Sequence, residues 1–205
     1  MKYRHLAIIV TVSVAAVGLA ACGSDDAAST SSSPTPEQTS DVAVSIQVGA
    51  AFNAADVEFA QGMIPHHEQA IAMAEIALDP TVEAGPEVRD LATRVKGAQD
   101  PEIESMTAWL TTWGAPMQMD TSDGHDMSAM DGMMSVEEMD SLGMMKGAEF
   151  DTMWMQMMIR HHEGAIAMAQ TVEAVGSSVD VRSLAGQVIA GQQGELTEMQ
   201  TLLGG

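Results

Sequence analysis

The chemistry open to this chain is concentrated in two His-His pairs. The segment Met63-Ile64-Pro65-His66-His67-Glu68-Gln69-Ala70-Ile71-Ala72-Met73-Ala74 returns 95 residues later as Met158-Ile159-Arg160-His161-His162-Glu163-Gly164-Ala165-Ile166-Ala167-Met168-Ala169. Four of the six histidines lie in these two copies. Imidazole works near neutral pH either as a proton carrier or as a metal ligand. A duplicated pair in one apolar frame suggests one site assembled from two equivalent helices, with two separate sites left open on the sequence.

Methionine is the second unusual feature. Of 19 methionines, 13 fall between residues 116 and 158, among them Met117-Gln118-Met119 and Met127-Ser128-Ala129-Met130-Asp131-Gly132-Met133-Met134. Interleaved Gly, Asp and Ser make the first part of that stretch a loop, where exposed methionines have no packing role. His125 lies in the same loop. Thioether and imidazole together form a soft-to-borderline ligand set that suits copper, Cu(I) above all. Met63, His66, His67, Met158, His161 and His162 are therefore candidate ligands of a bundle site, and His125, Met127 and Met130 of a more open loop site. A thioether does not protonate, so such a site keeps ligands at pH values where ordinary histidines fail, below roughly 6 to 6.5.

Other metals fit these residues less well. A di-iron centre in a helical bundle needs Glu-x-x-His on two helices, whereas Met63 and Met158 stand three residues before His66 and His161. Zinc would leave the methionine excess unexplained, and haem needs fewer histidines than two adjacent pairs. Met73, Met168, Met106 and Met199 read as core, Trp109, Trp113 and Trp154 as core or bundle-end aromatics, and Glu68 and Glu163 as solvated. No catalytic residue stands out, since there is no Ser or Cys nucleophile signature. A redox enzyme using the same metal, or a structural or partner-binding bundle whose histidines only pack, stays open on the sequence.

The elements that must hold these residues are helices. Asn53 is a good N-cap with Asp56 at the third helical position, and a helical pattern follows to about Leu78. A 100° projection puts Phe59, His66, His67, Ala70 and Ala74 near Met63 on one stripe, with Gln61, Glu68, Gln69 and Glu75 pointing away. Pro65 predicts a kink before the first His pair, absent from the second copy, which has Arg160. A turn leads to a second helix from about Glu87 to Trp113, stopped at Gly114-Ala115-Pro116. The plan then repeats. Ser135 and Glu138 form a capping box before a short helix, Gly147 to about Val175 is a long helix, Gly176 to Asp180 a turn, and Val181 to Leu203 the last helix. Arg89, Leu91, Val95, Gln99, Glu102 and Met106 recur as Arg182, Leu184, Val188, Gln192, Glu195 and Met199, at an offset of 93. The expected fold is all-α, a four-helix bundle of two duplicated hairpins, 53–113 and 147–203, joined by a Met-rich linker 114–146. A helix of about 25 residues is about 37 Å long, so both His pairs sit at mid-height.

The front of the chain has another purpose. Lys2 and Arg4 precede an apolar run from Leu6 to Ala21, too short for a spanning helix, and residues 1–21 read as a secretory signal. Leu19-Ala20-Ala21-Cys22 has the form of a lipobox, which predicts a lipidated Cys22 and anchoring on the outer face of the cytoplasmic membrane. Residues 22–52, rich in Ser, Thr and Pro, form a flexible tether. Cys22 is the only cysteine, so disulfides and thiolate metal sites are excluded. The net charge of −21 repels nucleic acid and favours cations. The partners expected are a metal ion, the membrane through Cys22 and an unidentified copper-transfer protein.

The paired motif, with Phe59 before it and Gly147-Ala148-Glu149-Phe150-Asp151 leading into the second copy, resembles the bacterial family called domain of unknown function 305. The resemblance spans about residues 50 to 205. It implies a ferritin-like four-helix bundle in a secreted or envelope protein, and some members are linked to copper binding and resistance. By resemblance, Met63, His66, His67, Met158, His161 and His162 are its motif positions. The Met-rich loop is a feature of this chain.

Overall fold

The computed structural model describes residues 51–119 and 131–205. The expected leader with Cys22, almost all of the expected tether, and His125, Met127 and Met130 of the expected loop lie outside the described residues. Helix α1 spans Ala54–Leu78 and opens with the expected capping box, in which Asp56 N–H donates to the Asn53 side chain at 3.1 Å and Asn53 N–H donates to Asp56 at 2.7 Å. Asp79 stops it and starts a single 3-10 turn, Pro80–Val82. Helix α2, Pro86–Trp113, begins on a proline whose missing N–H is no loss at that position and ends at Gly114, which is left-handed at φ 65°. Helix α3, Val136–Met144, has the Ser135–Glu138 capping box. Helix α4 spans Gly147–Val175 and α5 Val179–Gly204. The last turn is shorter than the composition suggested. Ser178 caps α5 by accepting from Val181 N–H, so the helix starts two residues early. α1 runs through Pro65 as one helix, and α2 likewise contains Pro101.

No strand occurs among the described residues, and none of their helices is long and apolar enough to cross a membrane. The four long helices form two hairpins, α1 with α2 and α4 with α5, which meet chiefly through α1 and α4. The duplication extends to the fastenings between hairpins. Buried Asp56 accepts from Ser177 and Ser178 N–H at 3.0 and 3.1 Å, tying the start of α1 to the α4–α5 turn. Asp151, its counterpart at the start of α4, accepts from Gly85 N–H at 3.0 and 3.1 Å, tying α4 to the α1–α2 turn. Each hairpin thus clasps the turn of the other.

The apolar core falls into two clusters. One gathers Met73, Leu91, Phe150, Trp154, Met158 and Met199; the other gathers Phe59, Met63, Met106, Leu110, Ala165 and Val188. The first half of α1 therefore lies with the second half of α4, and conversely. Trp154 is fully buried and donates its indole N–H to Met73 carbonyl at 2.9 Å. Burying an aromatic of this size contributes about 2–3 kcal/mol. Trp109 and Trp113 are half-buried, and Phe52 stacks on Trp113 at 4.5 Å. Two assignments change. Gln61, expected to face solvent, is buried because residues 116–118 cross over it and accept its amide. Met134, expected in an exposed loop, is also buried.

Candidate metal centre

Between the two apolar clusters lies a polar layer. His66, His67, His161 and His162 all have zero exposure, as the helical projection places them. The equivalent residues His66 and His161 meet face to face across the hairpin boundary, with ring centroids 3.8 Å apart and planes at 43°. Met63 and Met158, one turn before them on the same helix face, are fully buried and belong to opposite clusters. A thioether-bearing residue thus flanks the imidazole layer on each side.

The outer histidines are held differently from the central ones. His67 Nε2 lies 2.7 Å from a carboxylate oxygen of Glu102, and His162 Nε2 lies 2.7 Å from Glu195. A neutral imidazole in this arrangement donates Nε2–H to the carboxylate and leaves a lone pair on Nδ1. Carboxylate-oriented histidine is the arrangement that fixes ring and tautomer at metal sites. The sequence reading missed Glu102 and Glu195 as part of the site, although the signal was present, because both belong to the repeat at offset 93. One turn away, Gln99 and Gln192 are buried too, and neither amide atom of Gln99 bonds to a described residue.

Electrostatics keep the central pair uncharged. Burial first, then the nearby His67 and more weakly His162, push His66 down from 6.5 to about 3, against the Asp131 carbonyl, which pulls it up. His161 is also held well below its ordinary value, chiefly by burial and then by the surrounding imidazoles. Neutral imidazole is the ligand form. The available nitrogens are His66 Nδ1, His67 Nδ1, His162 Nδ1 and both nitrogens of His161, all buried without a partner among the described residues. An unsatisfied buried polar group costs about 1–3 kcal/mol, and five such nitrogens lie on the four buried imidazoles. Among the described residues, no group of three or more His, Cys, Asp or Glu converges to hold a metal. The pair that does meet is His66 with His161, and imidazole nitrogen is a borderline donor.

A strap closes the layer. Asp131 carbonyl lies 3.3 Å from His66 Nε2. Gln69 pins the next residues by donating to Met134 carbonyl at 2.8 Å and accepting from Met134 N–H at 2.7 Å. Gly132, at φ +88°, packs on the α4 backbone, where a Cβ would stand 2.7 Å from Arg160 carbonyl. A Cβ on Gly164 would overlap Asp131 carbonyl. Gln69 and Gly164 occupy the same position in the two copies of the repeat, so the copies differ where the strap is docked. Of the loop candidates, the structure places none beside this layer, since His125, Met127 and Met130 are outside the described residues. Glu68 and Glu163 are exposed, as expected.

A four-helix bundle of duplicated hairpins with a buried His-His layer at their junction defines a structural class. The profile of the domain of unknown function family DUF305 matches residues 56–203, and the chain belongs to that family. Among solved structures it is similar to a DUF305 protein of Streptomyces coelicolor described as a candidate secreted protein, at 30% identity over 73% of this chain and 92% of that one, with a TM-score of 0.67. It is also similar to a DUF305 fragment from Deinococcus radiodurans, at 32% identity over 74% and 97% of the two chains, with a TM-score of 0.65. A third similar structure is CopM in a Cu(II)-bound form, at 30% identity over 72% and 95%, with a TM-score of 0.60. CopM has also been solved in Cu(I)-bound and silver-bound forms. Among curated protein sequences none matches the chain.

Proposed function

We propose that this protein binds copper outside the cytoplasm, Cu(I) foremost, at the layer formed by His66, His67, His161 and His162 with Met63 and Met158, and that it buffers the ion or passes it on. The observation that carries this reading is the His66–His161 contact: two buried imidazoles from equivalent helices, kept neutral, with nitrogens that no described residue satisfies. Copper bound there would take one nitrogen of each central imidazole and exchange by ligand displacement. Glu102 and Glu195 orient the outer rings, and the strap at Asp131 keeps water from the central pair. The copper-bound forms of CopM support the choice of metal. Lipidated Cys22 would hold the domain at the outer face of the cytoplasmic membrane through the 22–52 tether. His125, Met127 and Met130 would capture ions that the acidic surface attracts, as a supply for the bundle.

The test is competition for Cu(I) against a chromogenic chelator. Wild type should withdraw copper from the chelator, and a variant with all four bundle histidines changed to Ala should withdraw at least one equivalent less while keeping its helical circular dichroism. Equal withdrawal by the two proteins would contradict the bundle site. Deleting residues 120–130 should lower stoichiometry and leave the bundle equivalent in place.

A further inference from the structure

Met117 and Met119 lie away from the His layer, in the segment that leaves α2. Met117 is 44% exposed, so burial does not explain it. The segment is nevertheless fixed. Gly114 caps α2, Ala115 N–H donates to Leu110 carbonyl at 3.0 Å, and the buried amide of Gln61 donates to the carbonyls of Pro116 at 2.7 Å and Gln118 at 3.3 Å. A methionine-bearing turn held in this way flanks a cavity of about 390 Å³, whose lining comprises Met117, Gln118 and Met119 on one side and Gln61, Ile64, Pro65 and Glu68 of α1 on the other. Two methionines and one glutamate thus line one partly enclosed space. Glu68 is exposed and makes no salt bridge among the described residues.

We propose that the groove between α1 and residues 115–119 is a second, independent site for a soft monovalent cation, with Met117 and Met119 as thioether ligands and Glu68 supplying the compensating charge. Thioethers are neutral and select soft d10 ions over the hard cations that the acidic surface would otherwise gather. The carboxylate adds attraction in a space partly screened from solvent. Gln61 is what makes the pair a site, because it holds the turn against α1 before any ion arrives and so removes part of the ordering cost of binding. The groove lies on the outer side of the helical turn whose inner side carries His66 and His67. This inference rests on the soft-metal reading above for its choice of ion, and it places an entry site on the described surface.

The experiment is a titration of the whole chain, labelled with ¹³C at the methionine methyls, with Ag(I) as a redox-inert soft cation. Resonances are assigned by Met117→Leu and Met119→Leu, which keep the apolar volume. The Met117 and Met119 methyls should shift together with one midpoint, and should do so equally in a His66→Ala/His161→Ala variant. Glu68→Gln should raise that midpoint several-fold, and Met117→Leu should abolish the shift at Met119. If Met63 and Met158 respond while Met117 and Met119 do not, the groove site is wrong and the bundle site stands. Response at Met117 and Met119 alone leaves the groove standing and removes the bundle site. Different midpoints for the two groove methyls would overturn the shared site.

Discussion

The two hairpins carry the same chemistry and differ in what covers it. Each supplies a central His, an outer His with its carboxylate, a flanking Met and an Asp that clasps the other hairpin's turn. They part at the positions that meet the strap. On the first copy Gln69 grips the backbone of Met134 with its amide, while on the second Gly164, by lacking a Cβ, lets Asp131 lie against α4. Where the first has Pro65, the second has Arg160, which lies against Met134 and pairs with Glu138. Duplication builds a symmetric ligand layer, and divergence at these positions docks one strap across it. The consequence is an unequal central pair: His66 faces a carbonyl, and His161 has no partner on either nitrogen among the described residues.

Acid should expose the buried layer first. His66 ionises near 6.5 when unfolded and only near 3 when folded, so the folded state binds fewer protons between those values. Stability from this residue is complete above about 6.5 and is lost progressively as pH falls toward 3, with His161 adding in the same direction. A tenfold difference in proton affinity between the two states is worth about 1.4 kcal/mol, so the loss should reach several kcal/mol. Urea melts of the metal-free protein between pH 7 and 4 measure it, and in His66→Ala/His161→Ala the slope against pH should flatten.

The clasps should break unequally. Asp56 is fully buried and accepts from three backbone N–H groups, so Asp56→Ala should cost about 3 kcal/mol. Asp151 serves Gly85 alone at a half-buried position, and Asp151→Ala should cost about 1 kcal/mol. Equal losses in denaturant melts would mean that the hairpins are fastened symmetrically.

The strap should fail from either side. Gly164→Ala places a methyl into Asp131 carbonyl and should destabilise by about 2 kcal/mol, while Gln69→Ala removes two hydrogen bonds worth about 1 kcal/mol each. Both variants should speed hydrogen exchange at the Met134 amide. Retained protection there would show that α3, rather than Gln69 and Gly164, holds the strap. The smallest effect is expected at the carboxylates: Glu102→Gln and Glu195→Gln should each weaken Cu(I) binding by about tenfold, and by similar factors. A large inequality would mean that one outer His is a ligand and the other is not.

Much of this was legible in the sequence because local rules agreed with the tertiary structure. The Asn53 N-cap, the Ser135 capping box, the Gly114 stop and the offset repeat located the long helices to within two residues, and the stripe around Met63, carried to the second copy by the repeat, buried all four histidines. What was not legible depended on contacts between distant segments. Gln61 is polar and off the stripe, so a projection sends it to solvent, and only the crossing of residues 116–118 buries it. Met134 shares the composition of an exposed loop, and only Gln69 reveals that it is pinned. Glu102 and Glu195 were visible as repeats, but their distance from the histidines in sequence hid their pairing until α2 and α5 folded back. The strap on His66 was unreadable, because a backbone carbonyl has no sequence signature.

The central claim is that copper sits between the hairpins, and anomalous diffraction at the copper edge from crystals grown with Cu(I) tests it most directly. The account predicts an anomalous peak within bonding distance of His66 and His161. Peaks confined to surface carboxylates or exposed methionines, with His66 and His161 still in contact with each other, would contradict it.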